Sequence, residues 1–132
     1  PSHARRQAFL INEADTAALD LGLEVRAAGT GSVVVTLTVT ERHLGSPGQL
    51  HGSVLFTLAD VAASYASISE GDADNDPAAI DFVAGTQLGG VLVATATEQS
   101  LRGKAGIYDV AIRTGVDDRL IATFCGNTLR LV

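Results

Sequence analysis

The sequence predicts an α+β domain in which an antiparallel sheet of five to six strands wraps around one long central helix. Three observations carry this reading. Residues 52 to about 69 form a helix-compatible run whose Val54, Leu55, Phe56, Leu58, Val61, Ala62, Ala63 and Ala66 cover most of the circumference, and a helix apolar nearly all round is a buried one. Residues 35–40 alternate Val or Leu with Thr, the period-two pattern of a half-buried strand in an antiparallel sheet. Glycine-centred turn signals, Gly29-Thr30-Gly31, Gly89-Gly90, Arg102-Gly103-Lys104 and Gly115-Val116-Asp117-Asp118, divide the remaining apolar runs into strand-length pieces. An open α+β sandwich with the helix on one face fits the same pattern and is the alternative.

In chain order, residues 3–18 mix charges with Ala, Phe and Leu at loosely helical spacing, an amphipathic helix packed on the outside. Strands follow at 21–28 and 32–40. Residues 41–50 lead into the central helix, with a glycine-flanked turn over 48–52. After the helix, 70–77 (EGDADNDP) reads as an acidic loop. Its Asp72, Asp74 and Asp76 resemble the start of a calcium loop, but Pro77 stands where glycine is required and Val83 where the closing glutamate belongs, so calcium is rejected. Four more strands are expected at 79–84, 91–98, 106–114 and 119–132. In the last, the apolar parity slips around Gly126-Asn127, which predicts a bulge there.

The 132 residues suit one domain, 1–132, with room for a real core. A net charge of −6 argues against nucleic acid as a partner. Five of the nine basic residues fall in the last third, Arg102, Lys104, Arg113, Arg119 and Arg130, either as scattered surface charge or as a local patch for a small phosphorylated ligand. Asp60 interrupts the longest apolar run short of the roughly 18 residues that span a bilayer, so no transmembrane helix is expected. The first twenty residues gather acids before any long apolar stretch and do not read as a signal peptide. One cysteine, Cys125, makes neither an internal disulfide nor, by itself, a thiolate zinc site. A cytoplasmic location is expected.

Asp60 is the residue that does not fit. It lies too far into the apolar run to cap the helix, and a carboxylate held among apolar groups is costly unless something pairs with it or uses it. Ser53, Thr57, Asp60, Ser64 and Ser67 recur at spacings of four, three, four and three, which puts them in one narrow stripe. A stripe facing water is the plainer reading. Such faces carry Lys, Glu, Gln or Arg, however, whereas these small residues let a second backbone or a ligand approach closely.

The ordered set Gly48-x-x-His51-Gly52-Ser53-Val54-Leu55-x-x-Leu58-Ala59-Asp60, then Ile80-Asp81-Phe82, then Arg102-Gly103-Lys104-x-Gly106-x-Tyr108-Asp109-Val110, then Leu120-Ile121-Ala122-x-Phe124-x-Gly126 resembles the hotdog-fold acyl-CoA thioesterases. Within them it is most similar to the phenylacetate-degradation type. The resemblance runs from about Gly22 onward. It implies a hotdog fold, hydrolysis of a small or aromatic acyl-CoA, a homodimer at minimum with dimers pairing into tetramers, and active sites between subunits. By position it makes Gly52 the backbone donor to the thioester oxygen and Asp60 the helix acid. Phe82, Tyr108, Arg102 and Lys104 become candidate substrate-binding residues, beside Gly45, Gln49 and Ser53 around the first motif. Coenzyme A belongs to the substrate, so no dissociable cofactor and no metal is implied. Two positions depart from the family: Ser53 replaces the second glycine after the histidine, and Gly45 replaces an Asn or Gln that orients substrate or water, a task for which Gln49 or His43 could substitute.

The chemistry suits these residue types. Free N–H groups at a helix N-terminus hold a developing oxyanion through hydrogen bonds and the macrodipole. A carboxylate acts as general base toward water or as nucleophile. Gly52 and Asp60 are eight residues apart, about 12 Å along a helix axis, so one chain can hardly bring both to one carbonyl. Two antiparallel helices from two chains can. Ser64, one turn beyond Asp60, would then hold the water, and His51 would fix the turn. A non-catalytic acyl-CoA-binding module is the main alternative. A hydratase, which needs a catalytic His paired with the acid, finds little support.

Overall fold

The first two helices of the computed structural model, α1 (Ser2–Ala14) and α2 (Thr16–Leu21), stand where one helix was expected. The break is at Asp15, which caps α2 by accepting the Ala18 N–H on Oδ1 at 3.1 Å, the preferred use of Asp at a helix start. Gly22 ends α2 in the left-handed region at φ 85°, so the first strand begins later than its apolar pattern suggested. Residues 2–46, 48–68, 73–82, 88–103 and 105–130 are described, with side chains at 2, 4, 68, 73–82, 129 and 130 left aside.

The strands are β1 (Glu24–Gly29), β2 (Ser32–Thr38), β3 (Ala73–Phe82), β4 (Val91–Arg102), β5 (Ala105–Thr114) and β6 (Leu120–Arg130). They form one sheet in the order β1-β2-β4-β5-β6-β3 with every neighbouring pair antiparallel. A one-turn 3-10 helix (Glu41–His43) precedes the long helix α3 (Gly52–Ile68). α3 packs against β2, β3, β4, β5 and β6, so the sheet curls around it as the hotdog fold requires.

The core follows the periodicities. Val33, Val35, Leu37 and Val39 all face inward, as do Leu92, Ala94 and Ala96 of β4 and Val110 and Ile112 of β5. From α3 they meet a cluster containing Leu58, Ala59, Ala62, Ala63 and Ala66, whose small side chains let sheet and helix approach closely. The helix is not covered all round. Phe56 is 38% exposed, its ring edge-on to Phe124 at 5.9 Å and 81°.

Three expectations are corrected. Residues 73–77 of the supposed acidic loop are strand, paired from Ala73↔Arg130 to Pro77↔Gly126. β3 is an edge strand, and an edge accommodates a proline that cannot donate and carries charges that deter further pairing. Residues 70–72 and 83–84 lie outside the described residues. β4 runs on to Arg102, not Glu98, and turns through Gly103 at φ 57° into β5. The irregularity expected within β6 at Gly126-Asn127 belongs to its neighbour, where the β3 register shifts between Pro77 and Ala79. β6 keeps alternating there, with Phe124, Gly126 and Thr128 buried. A buried polar Thr128 breaks the apolar pattern without breaking the strand. The β6 shift itself comes earlier, where Ile112 pairs with Ala122 but Arg113 with Leu120.

Candidate active site

The turn into α3 is built on His43. That ring is 2% exposed; Nδ1 accepts the Thr40 N–H at 2.9 Å and Nε2 donates to the Leu21 carbonyl at 2.7 Å. Both nitrogens are therefore committed within the chain, which removes His43 as a stand-in for the side chain missing at Gly45. Its carbonyl in turn accepts the His51 N–H at 2.9 Å. Between them, Gly45 N–H donates to the Gln49 carbonyl and Gly48 N–H to the Gly45 carbonyl, each at 2.7 Å. Gly48, at φ 94°, provides the reversal, and Leu44 bridges Leu50.

His51 ends this turn and caps α3. Its Nδ1 accepts from the Ser53 N–H at 3.1 Å and lies 2.7 Å from the Ser53 hydroxyl. Gly52 is the first residue of α3 and half-buried, among the amides that a helix leaves without an intrahelical partner. A Cβ at Gly45 would meet His51 Cδ2 at 3.0 Å, a tight contact that the imidazole would relieve by shifting a few tenths of an ångström.

Along α3 the small polar stripe grades from exposed Ser53 through half-buried Thr57, Asp60 and Ser64 to buried Ser67. It is neither a solvated face nor sealed inside the chain. Gln49 is exposed beside the turn, and Arg102 is exposed at the end of β4. Tyr108 is 1% exposed within β5, its ring edge beside Gly106. Phe82 pairs with Ala122 through its backbone, its side chain outside the description; Lys104 lies outside the described residues.

A concavity of about 640 Å³ lies elsewhere, on the outer face of β4, β5 and β6, lined by Val93, Thr95, Asp109, Arg113, Thr123 and Cys125 among others. The sheet separates it from α3. A cleft formed between two chains is not a concavity of either alone, so size does not decide the site here. Burial, aided by the charge and hydrogen bond of Asp109, pushes the Cys125 thiol above its ordinary pKa, which disfavours the nucleophilic thiolate. Among the described residues no group of three or more His, Cys, Asp or Glu side chains is arranged to hold a metal, and no helix is long and apolar enough to cross a membrane.

The pattern of the thioesterase superfamily matches residues 47–121, from the turn before α3 to the start of β6. The chain belongs to that superfamily, and its class is thioester hydrolase. It is similar to the acyl-coenzyme A thioesterase PaaI of Escherichia coli K12, 35% identical over 129 residues covering 97% of this chain and 91% of that one. The structure of E. coli PaaI, from the phenylacetic acid degradation operon, superposes with a TM-score of 0.91 at 32% identity, covering 99% of this chain and 95% of that one. A mutant form of the phenylacetic acid degradation protein PaaI from Thermus thermophilus gives 0.85 at 32% identity, covering 89% of this chain and 100% of that one. A hypothetical thioesterase from Streptococcus pneumoniae TIGR4, solved with coenzyme A, gives 0.78 at 26% identity, covering 91% and 98%.

Proposed function

We propose that this chain hydrolyses a small or aromatic, phenylacetyl-like acyl-CoA to the free acid and coenzyme A. The observation that carries the reading is the placement of Gly52 and Asp60 on one helix: Gly52 opens it with an amide available to an oxyanion, and Asp60 lies half-buried eight residues on. Separated by about 12 Å on that helix, they act on one carbonyl only if two copies of the chain meet antiparallel along α3, Gly52 of one opposite Asp60 of the other. The small residues of the stripe suit such an approach. A homodimer is then the least assembly that works, and two dimers pair into a tetramer. Gly52 N–H stabilises the oxyanion. Asp60 either draws a proton from water held by Ser64 or attacks the carbonyl directly. The similarity to acyl-CoA thioesterases along nearly the whole chain supports coenzyme A as the leaving thiol.

The test is thiol release from phenylacetyl-, hydroxyphenylacetyl-, benzoyl- and short aliphatic CoA esters in one panel. Turnover preferring an aromatic or short acyl group supports the proposal. Binding without thiol release across the panel favours the second reading, a non-catalytic acyl-CoA-binding module, for which the absence of a side chain at Gly45 is the specific observation.

A further inference from the structure

Ser53 places both of its donors on the same atom of His51. The backbone N–H reaches Nδ1 at 3.1 Å and the hydroxyl oxygen lies 2.7 Å away. A backbone amide only donates, so Nδ1 is the unprotonated nitrogen, and a neutral imidazole then carries its proton on Nε2. Cδ2, bonded to Nε2, is the ring atom that lies over Gly45. The Cγ–Cδ2 edge of an exposed ring therefore faces Gly45, a residue of the preceding turn that has no side chain, and the ring belongs to the residue just before the Gly52 amide.

We infer that Ser53 is a positioning residue: it holds His51 in the neutral Nε2–H tautomer and presents that N–H, beside the Gly52 amide, as a second donor to the bound thioester. The inference rests on the thioesterase reading and deepens it. Ser53 acts only through the imidazole. Its hydroxyl supplies the shorter of the two bonds to Nδ1, and with that bond lost the weaker amide contact alone opposes the other tautomer. Gly45 belongs to the same arrangement, since a Cβ there would crowd the ring. The atoms and electrons of the parent reaction are unchanged, because His51 donates a hydrogen bond and transfers no proton.

The experiment compares the wild-type protein with Ser53→Ala, Ser53→Thr and His51→Gln, full length and labelled in the histidine rings. Imidazole carbon and nitrogen shifts report the tautomer, the His51 signals being those lost in His51→Gln from a set of three histidines; thiol release from phenylacetyl-CoA reports turnover. Expected is the Nε2–H tautomer in the wild type and in Ser53→Thr, the latter turning over faster than Ser53→Ala because the hydroxyl is kept. In Ser53→Ala we expect a mixed tautomer and kcat lowered about two- to tenfold with KM little changed, the effect of one neutral hydrogen bond. An Nδ1–H tautomer in the wild type overturns the inference, and so does undiminished kcat in Ser53→Ala or His51→Gln. Either result alongside normal wild-type turnover leaves the thioesterase reading standing. Absence of turnover by the wild type on every ester overturns both.

Discussion

The Tyr65 hydroxyl donates to Asp15 Oδ2 at 2.7 Å, joining the last turn of α3 to the cap of a helix fifty residues earlier. The other carboxylate oxygen of Asp15 caps α2, and Asn12 approaches the same hydroxyl at 3.5 Å. One carboxylate therefore starts a helix and fastens both N-terminal helices to the core. Tyr65→Phe is expected to lower the stability by about 1.5–3 kcal/mol, the net contribution of a hydrogen bond to a charged acceptor. Asp15→Ala should cost more, since the cap goes as well. Urea unfolding of both and of the double variant checks this, and additive effects would show that the two groups do not interact.

The same residue gives a pH prediction. Burial first, then the hydrogen bond and charge of Asp15, outweigh donation from Asn12 and raise the Tyr65 hydroxyl well above its ordinary pKa. A raised folded-state pKa contributes stability that is present below the unfolded value, about 10 for tyrosine, and is lost as pH rises beyond it, because the unfolded chain releases the proton first. Stability should thus fall above about pH 10. In Tyr65→Phe this part of the decline should be absent, measured as the urea midpoint against pH.

Asp60→Asn keeps the shape of the side chain and removes its basicity. Turnover should fall by about a hundredfold or more, the usual effect of losing a positioned general base, while acyl-CoA binding measured by calorimetry stays within a few-fold. Unchanged thiol release would take Asp60 out of the mechanism.

Gly106 faces Thr128 across the β5–β6 pair. A Cβ there would meet Thr128 Oγ1 at 2.7 Å and Tyr108 Cε1 at 2.9 Å, closer than such atoms pack. Gly106→Ala should destabilise by about 1–3 kcal/mol, the range for overpacking. Adding Thr128→Ala should recover only part of this, since the Tyr108 contact remains; full recovery would show that the ring moves freely.

Removing the His43 ring leaves the Thr40 N–H and the Leu21 carbonyl without the partners they have now. His43→Ala is expected to cost about 2 kcal/mol or more, from two lost hydrogen bonds in a buried setting. It should also raise KM, because the His43 carbonyl holds the backbone of His51. A variant of wild-type stability would mean that the turn stands without this anchor.

The long apolar helix, the inward Val33-Val35-Leu37-Val39 face and the residues of the turn before α3 were legible in the chain alone, because each is written in spacings of one to four residues that a local backbone period converts directly into a face. The family resemblance lay in the same short spacings. That 73–77 is an edge strand was settled only by the folded arrangement, since its composition becomes intelligible once β6 lies beside it on one side. So it was with His43, an anchor through the carbonyl of Leu21, and with the meeting of Tyr65 and Asp15. Hydrogen bonds between residues twenty to fifty positions apart leave no periodic trace in the chain. They exist only after the helix and the sheet have closed on one another.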